Sequence, residues 1–156
     1  MTLNLSVDVV LTTTRSVRKR LDMEKPVPRE VLTECLELAI QAPTGSNAQG
    51  WQWVFVEDAD KKKALGDIYR KNATPYLNAP KPEFGDMRDD QRPLVTSSAK
   101  YLNEHLHEVP VMLIPCLKGR PDGAPAGLFP IAYTKGTDFR PAKRLPVEQI
   151  VHWDSW

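Results

Sequence analysis

The sequence predicts a single domain of the α+β class. Three observations carry that expectation: an amphipathic helical run over residues 25–43, an alternating aromatic run over residues 51–58, and two apolar runs, VPVMLIPCL and LFPIAYT, in the C-terminal half. At 156 residues the chain is long enough to bury a real core as one unit, residues 1–156.

The elements follow in order. Val7, Val10, Leu11 and Thr14 recur at helical spacing behind Ser6, a residue type that caps helix starts. A first helix is therefore expected toward Thr14, with the basic run RSVRKRL after it. In KPVPREVLTECLELAIQAP, Val31, Leu32, Cys35, Leu36, Ala39 and Ile40 form one stripe. Pro28 suits the first turn, and Pro43 stops the helix because the residue before a proline avoids the helical region. WQWVFVED places Trp51, Trp53 and Phe55 on one face of a strand. DADKKKALGDIYRKN reads as a helix. Residues 73–93 are proline-rich, polar and aperiodic, so they read as a loop, with 74–93 a lid or dimer arm. SSAKYLNEHLHEVP is a further helix that aligns Ala99, Leu102 and Leu106. VPVMLIPCL and LFPIAYT are buried strands. Residues 141–156 form a polar tail whose Trp153 and Trp156 are expected to dock on the body or on a neighbour.

Composition narrows the function. The formal net charge is +1, from 21 basic and 20 acidic residues, which offers no pull toward nucleic acid or an anionic membrane. No run approaches the length of a membrane span, and no long apolar core precedes Arg15. Cys35 and Cys116 stand far apart without ligand-type neighbours, so both are expected as small buried hydrophobes in a reducing, cytoplasmic setting. His105 and His107 are two apart on an expected helix and cannot face one metal ion. Glycine-rich phosphate loops and the serine nucleophile elbow are absent from the sequence.

Three polar clusters remain. Arg15, Ser16 and Arg18 open a basic run; on a helical turn the two arginines would face one way and could clamp a phosphate, or the run is simply a solvated face. The loop Pro43–Gln49 puts Asn47 and Gln49 between a helix and a strand, where amides either close a turn or hold a ligand. Lys143 and Arg144 lie between prolines near the C-terminus.

Taken together and in this order, the clusters resemble the nitroreductase family of flavin-dependent oxidoreductases. The resemblance rests on TTRSVRKRLDMEKPVPREVLTECLELAIQAPTGSNAQGWQWVFVED and on LFPIAYTKGTDFRPAKRLPVEQIVHWDSW. PTGSNAQGW keeps Pro43, Asn47, Gln49 and Trp51 in the register of the family's PSxxNxQPW-like loop, with Thr44 and Gly50 where Ser and Pro are common. The resemblance implies a three-layer α/β/α sandwich with a mixed sheet flanked by helices, working as a homodimer. It implies FMN, with NADH or NADPH as electron donor and a nitroaromatic, quinone or similar small molecule as acceptor. Arg15, Ser16, Arg18 and Arg144 would hold the phosphate and ribityl chain, and Pro43, Thr44, Gly45, Asn47 and Gln49 would line the flavin. Tyr76 and Phe84 would lie near the acceptor. No catalytic side chain and no metal are implied, because the flavin N5 carries the hydride. Lys61, Lys62, Lys63 or Arg88 could meet the 2′-phosphate of NADPH by position alone. Reductive dehalogenation and flavin fragmentation are alternatives within the same chemistry.

One departure is large. The family places a long apolar helix, a Gly-rich loop and another helix between strands of the VPVMLIPC and LFPIAYT types. Here that core segment is absent at about Gly127-Leu128. Its loss should uncover apolar surface around Leu113 and Ile131. The rival reading is accordingly a non-catalytic or impaired relative that binds flavin or merely dimerises.

Overall fold

A computed structural model of the chain describes residues 4–118 and 125–152. Helix α1, Val7–Thr13, starts where expected: the Ser6 hydroxyl accepts a hydrogen bond from the Val9 N–H at 3.3 Å. Helix α2, Arg29–Ala39, starts directly after Pro28, which serves as the N-cap residue and supplies no side-chain bond. Strand β1 is Trp51–Val56. Helix α3, Ala59–Asn78, is capped by the Asp58 carboxylate, which accepts from Lys61 N–H at 2.9 Å. Helix α4, Met87–His105, is capped by Asp86. Strands β2, Val111–Leu117, and β3, Phe129–Ile131, complete the sheet.

Among the described residues the sheet has three strands in the order β1-β2-β3, and both pairings are antiparallel. The mixed sheet expected above is therefore corrected. The reason lies in the connections. Two successive helices, α3 and α4, lie between β1 and β2, in place of the single crossover helix that joins parallel neighbours.

The layers follow from strand alternation. Val56 pairs with Met112 and Val54 with Ile114, so these residues share one face of the sheet. On that face Val56 and Met112 pack with Leu102, Leu106 and Val109, and Met112 and Val109 are fully buried. Phe55, Val111 and Ile131 share the other face and pack with Leu32 of α2. Helix, sheet and helix thus form three layers of an α+β sandwich, as expected.

The α2 layer is thin. Leu32 is the only buried residue of that helix, and Cys35, Leu38 and Ile40 are exposed. The expectation that Cys35 is buried is corrected: within its stripe Leu32 is the residue buried against the sheet, and Cys35 lies on the part that no described element covers. Phe129 and Val54 are also about half exposed, while Leu113 and Ile131 are only partly buried. Apolar surface is thus open on both faces of the sheet.

Residues 73–93 are not one long loop. α3 runs through Pro75 to Asn78 and α4 begins at Met87 and contains Pro93, leaving only 79–86 as a connection. Pro75 lies in the last turn of α3, and both prolines are exposed, so each carbonyl that loses its N–H partner can turn to solvent. Trp153 and Trp156 lie outside the described residues.

Candidate functional site

The basic segment behind α1 is where charge and cavity meet. Arg15, Ser16 and Arg18 lie beyond the helix, which ends at Thr13, and the Thr14 backbone is extended (φ −58°, ψ 130°). The two arginines do not share a helical turn, which corrects the geometry expected from their spacing. They converge nonetheless. Both line a cavity of about 530 Å³, together with Ser16, Tyr69, Leu128 and Phe129. Among the described residues neither arginine pairs with a carboxylate.

Arg15 is fixed by carbonyls. Its guanidinium donates to Thr12 O at 3.2 Å, to Thr14 O and to the Arg140 carbonyl, 125 residues away. Those bonds orient the group without cancelling its charge. Arg18 lines the same cavity from the segment just before Leu21, which is buried in the core. Two unneutralised cations at the rim of a cavity with apolar walls suit a ligand that joins an anionic end to a flat apolar body. A phosphate on an aromatic ring system has that form.

The amide loop sits elsewhere. Gly45–Asn47 makes one 3₁₀ turn, and the Gln49 N–H donates to the Thr44 hydroxyl at 3.2 Å. The Gln49 side-chain amide donates to Asn47 Oδ1 at 2.9 Å. Within this chain the amides close a turn. Ser46, Asn47 and Gln49 all have positive φ, at 51°, 52° and 45°, a costly conformation for residues other than glycine. Pro43, Gly45, Asn47 and Gln49 are exposed, Thr44 is half-buried, and none of the five lines the cavity of Arg15 and Arg18. Arg144 is exposed on an irregular segment and donates to the neighbouring Lys143 carbonyl at 3.4 Å.

Tyr76 and Phe84 do come together. Both line a second cavity of about 500 Å³ between the end of α3 and the start of α4. The positions considered for a 2′-phosphate are mostly committed. Lys62 Nζ donates to the Val109 and Pro110 carbonyls at 2.7 and 3.1 Å, Lys63 lies 3.5 Å from Asp67, and Arg88 pairs with Asp86 at 2.7 Å.

Sequence reasoning missed Tyr69, Leu128 and Phe129 as cavity walls, because strand and helix patterns say nothing about which faces meet. It also passed over Arg20, whose position in the basic run was the available signal. Among the described residues no cluster of His, Cys, Asp and Glu could hold a metal ion. No described helix is long and apolar enough to cross a membrane.

A sequence model of the Nitroreductase family matches residues 11–143. The chain belongs to the nitroreductase family. YodC of Bacillus subtilis (strain 168), which carries the name of an NAD(P)H nitroreductase, is 34% identical over 78 residues. That match covers 49% of this chain and 39% of YodC, so the chain spans well under half of that relative's length. Among solved structures, an oxidized iodotyrosine deiodinase bound to FMN and 3-iodo-L-tyrosine superposes with a TM-score of 0.64. It is 20% identical, and the match covers 96% of this chain and 98% of that one. A BluB-like flavoprotein from Clostridium difficile 630 gives a TM-score of 0.50 at 18% identity, covering 74% of this chain and 50% of that one. At such identities the two structures show the nitroreductase fold.

Proposed function

We propose that this chain is an FMN-dependent oxidoreductase that passes electrons from NADH or NADPH to a nitroaromatic, quinone or similar acceptor. The observation that carries this reading is the convergence of Arg15, Ser16 and Arg18, without carboxylate partners, on one apolar-walled cavity. The family supports it, as do the FMN in the iodotyrosine deiodinase structure and the NAD(P)H in YodC's name.

The donor set fits the cofactor. Arg15 and Arg18 would hold the FMN phosphate, with the Ser16 hydroxyl beside it, and the walls formed by Leu128 and Phe129 would exclude water from the ring system. FMN, when bound, accepts and releases a hydride, so the chain needs no nucleophile of its own. The work of the side chains is to bind, orient and keep the site dry.

Part of the site would come from a second copy. The loop Pro43–Gln49 and Arg144 do not reach the cavity within one chain, and a homodimer would bring the partner's loop amides to it. Exposed apolar side chains support a dimer: Leu38 of α2, the neighbouring Ile40, and Val54 of β1 leave a surface that a second copy could cover. The cytoplasm is the proposed compartment, from the two free cysteines.

Adding FMN to the purified protein and following its visible absorbance tests this reading. A yellow protein that bleaches with NADPH and recovers on adding a quinone is expected. A protein that stays colourless through excess FMN overturns it.

A further inference from the structure

The chain that leaves β3 returns to the basic segment behind α1. Thr134 and Leu21 form an antiparallel bridge, and the Asp22 N–H donates to the Tyr133 carbonyl at 2.7 Å. Residues 134–140 continue as a strap along the segment that carries Arg15 and Arg18. The strap begins in the cavity wall at Thr134 and ends at Arg140, whose carbonyl accepts from Arg15 Nη2.

That bond differs from the others on the Arg15 guanidinium. Thr12 and Thr14, whose carbonyls also accept from it, are near neighbours in the chain and move with it. Among the described residues, only the Arg140 carbonyl ties the group to a distant part of the fold. Carbonyls take three of its N–H groups, and those that remain are available to an anion in the cavity. Where they point depends on where the strap lies.

Arg20 holds the strap. Its guanidinium donates to the Lys135 carbonyl, pairs with Asp138 and lies over the Phe139 ring. Gly136 makes room for this grip. Its φ is 82°, and a Cβ added there would lie 2.6 Å from Arg20 Nη2. Arg20 itself does not line the cavity, and its charge is already answered by Asp138.

We propose that Arg20 is a positioning residue for anion binding: it fixes the strap, and the Arg140 carbonyl at the strap's end aims the Arg15 guanidinium into the cavity. The proposal deepens the flavoenzyme reading and rests on it only in taking the anion to be the FMN phosphate. The orientation of Arg15 itself needs no flavin.

The test compares FMN with riboflavin, by flavin fluorescence, on wild type, Arg20→Met, Gly136→Ala, Arg15→Met and the double variant Arg15→Met/Arg20→Met. Arg20→Met and Gly136→Ala are each expected to weaken FMN binding about 10-fold, the lower end for a lost hydrogen bond to a charged group. Riboflavin binding should not change. Adding Arg20→Met to Arg15→Met should cost nothing further, because both act through one guanidinium. A merely structural Arg20 would weaken both flavins alike, or add its loss to that of Arg15→Met. Either result overturns the proposal, as does FMN binding that Arg20→Met leaves unchanged.

NMR of the Arg15 side chain in flavin-free protein separates the two readings. Its guanidinium should rotate slowly in wild type and freely in Arg20→Met. If neither flavin binds wild type while this rotation changes, the flavoenzyme reading fails and the positioning role stands. If FMN binds while the Arg15 signals are the same in both proteins, the positioning role fails and the flavoenzyme reading stands.

Discussion

Arg20 Nη2 lies 2.6 Å from Asp138 Oδ1, joining the basic segment behind α1 to the chain that leaves β3. The same guanidinium donates from Nε to the Lys135 carbonyl at 2.8 Å and lies 4.8 Å from the Phe139 ring centroid. The Lys135 N–H returns a bond to the Arg20 carbonyl, also at 2.8 Å. Arg20 therefore pins residues 135–139 beside the cavity that Arg15 and Arg18 line. Because the ion pair is exposed, the carbonyl bond and the ring contact carry most of its effect. Arg20→Met should lower the melting temperature by roughly 2–4 °C, the shift that ~1 kcal/mol gives at this size, while Asp138→Asn should do less. Thermal melts of the two variants decide it.

Arg18→Ala should weaken FMN binding by about 10–100-fold, the scale of a lost hydrogen bond to a charged group. Riboflavin, which lacks the phosphate, should bind wild type and variant alike. Flavin titration by fluorescence checks both expectations, and an equal loss for riboflavin would assign Arg18 a structural role instead.

The core makes two stability predictions. Met112 is fully buried between the sheet and α4, so Met112→Ala should cost about 2–5 kcal/mol. Gly66 is buried on α3, and a Cβ added there would lie 3.0 Å from the His107 Cβ. Gly66→Leu should therefore cost about 1–3 kcal/mol through overpacking, outweighing its gain in helix propensity. Urea unfolding measures both.

The turn before α4 should be sensitive to acid. Desolvation pushes the Asp89 carboxyl up, but the Gly85 and Phe84 N–H groups and the Arg92 charge outweigh it and hold the carboxyl below its ordinary 3.8. A depressed value means that the stabilisation is complete above about pH 4 and is lost as pH falls through the lower, folded-state value. Amide signals of Phe84 and Gly85 should be constant from neutral pH to about pH 4 and shift only below it. Asp89→Asn should abolish that transition in an NMR titration.

Stability should also rise with protein concentration. Leu38 is 72% exposed on α2, and Ile40 and Val54 are about half exposed, which leaves apolar surface for a second copy to cover. Sedimentation should show a dimer for the wild type, and Leu38→Glu should shift it toward monomer. A wild type that stays monomeric at high concentration would remove the dimer from the proposed function.

What could be read from the sequence was local. The Ser6 cap, the α2 stripe, the aromatic face of β1 and the apolar run of β2 each carry their own periodicity, and each forms where that periodicity places it. Pro75 and Pro93 misled because exposed helix positions tolerate the loss of one hydrogen bond. Cys35 misled because a stripe states which face is apolar, not whether anything covers it. The grouping of Arg15 with Arg18 was legible, though through a helical turn that does not form. Their meeting with Tyr69 and Phe129 was not, since it depends on how distant elements stack.

The sheet ends differently on its two sides. β3 is short and carries Pro130, which has no N–H to offer another strand. β1 reads WQWVFV, with no proline and no charge, and among the described residues no strand pairs along its outer side. Such an edge is a template that keeps accepting strands. Refolding from denaturant therefore sets up a race between productive folding and end-to-side stacking of Trp51–Val56, and dilute, cold refolding favours the first.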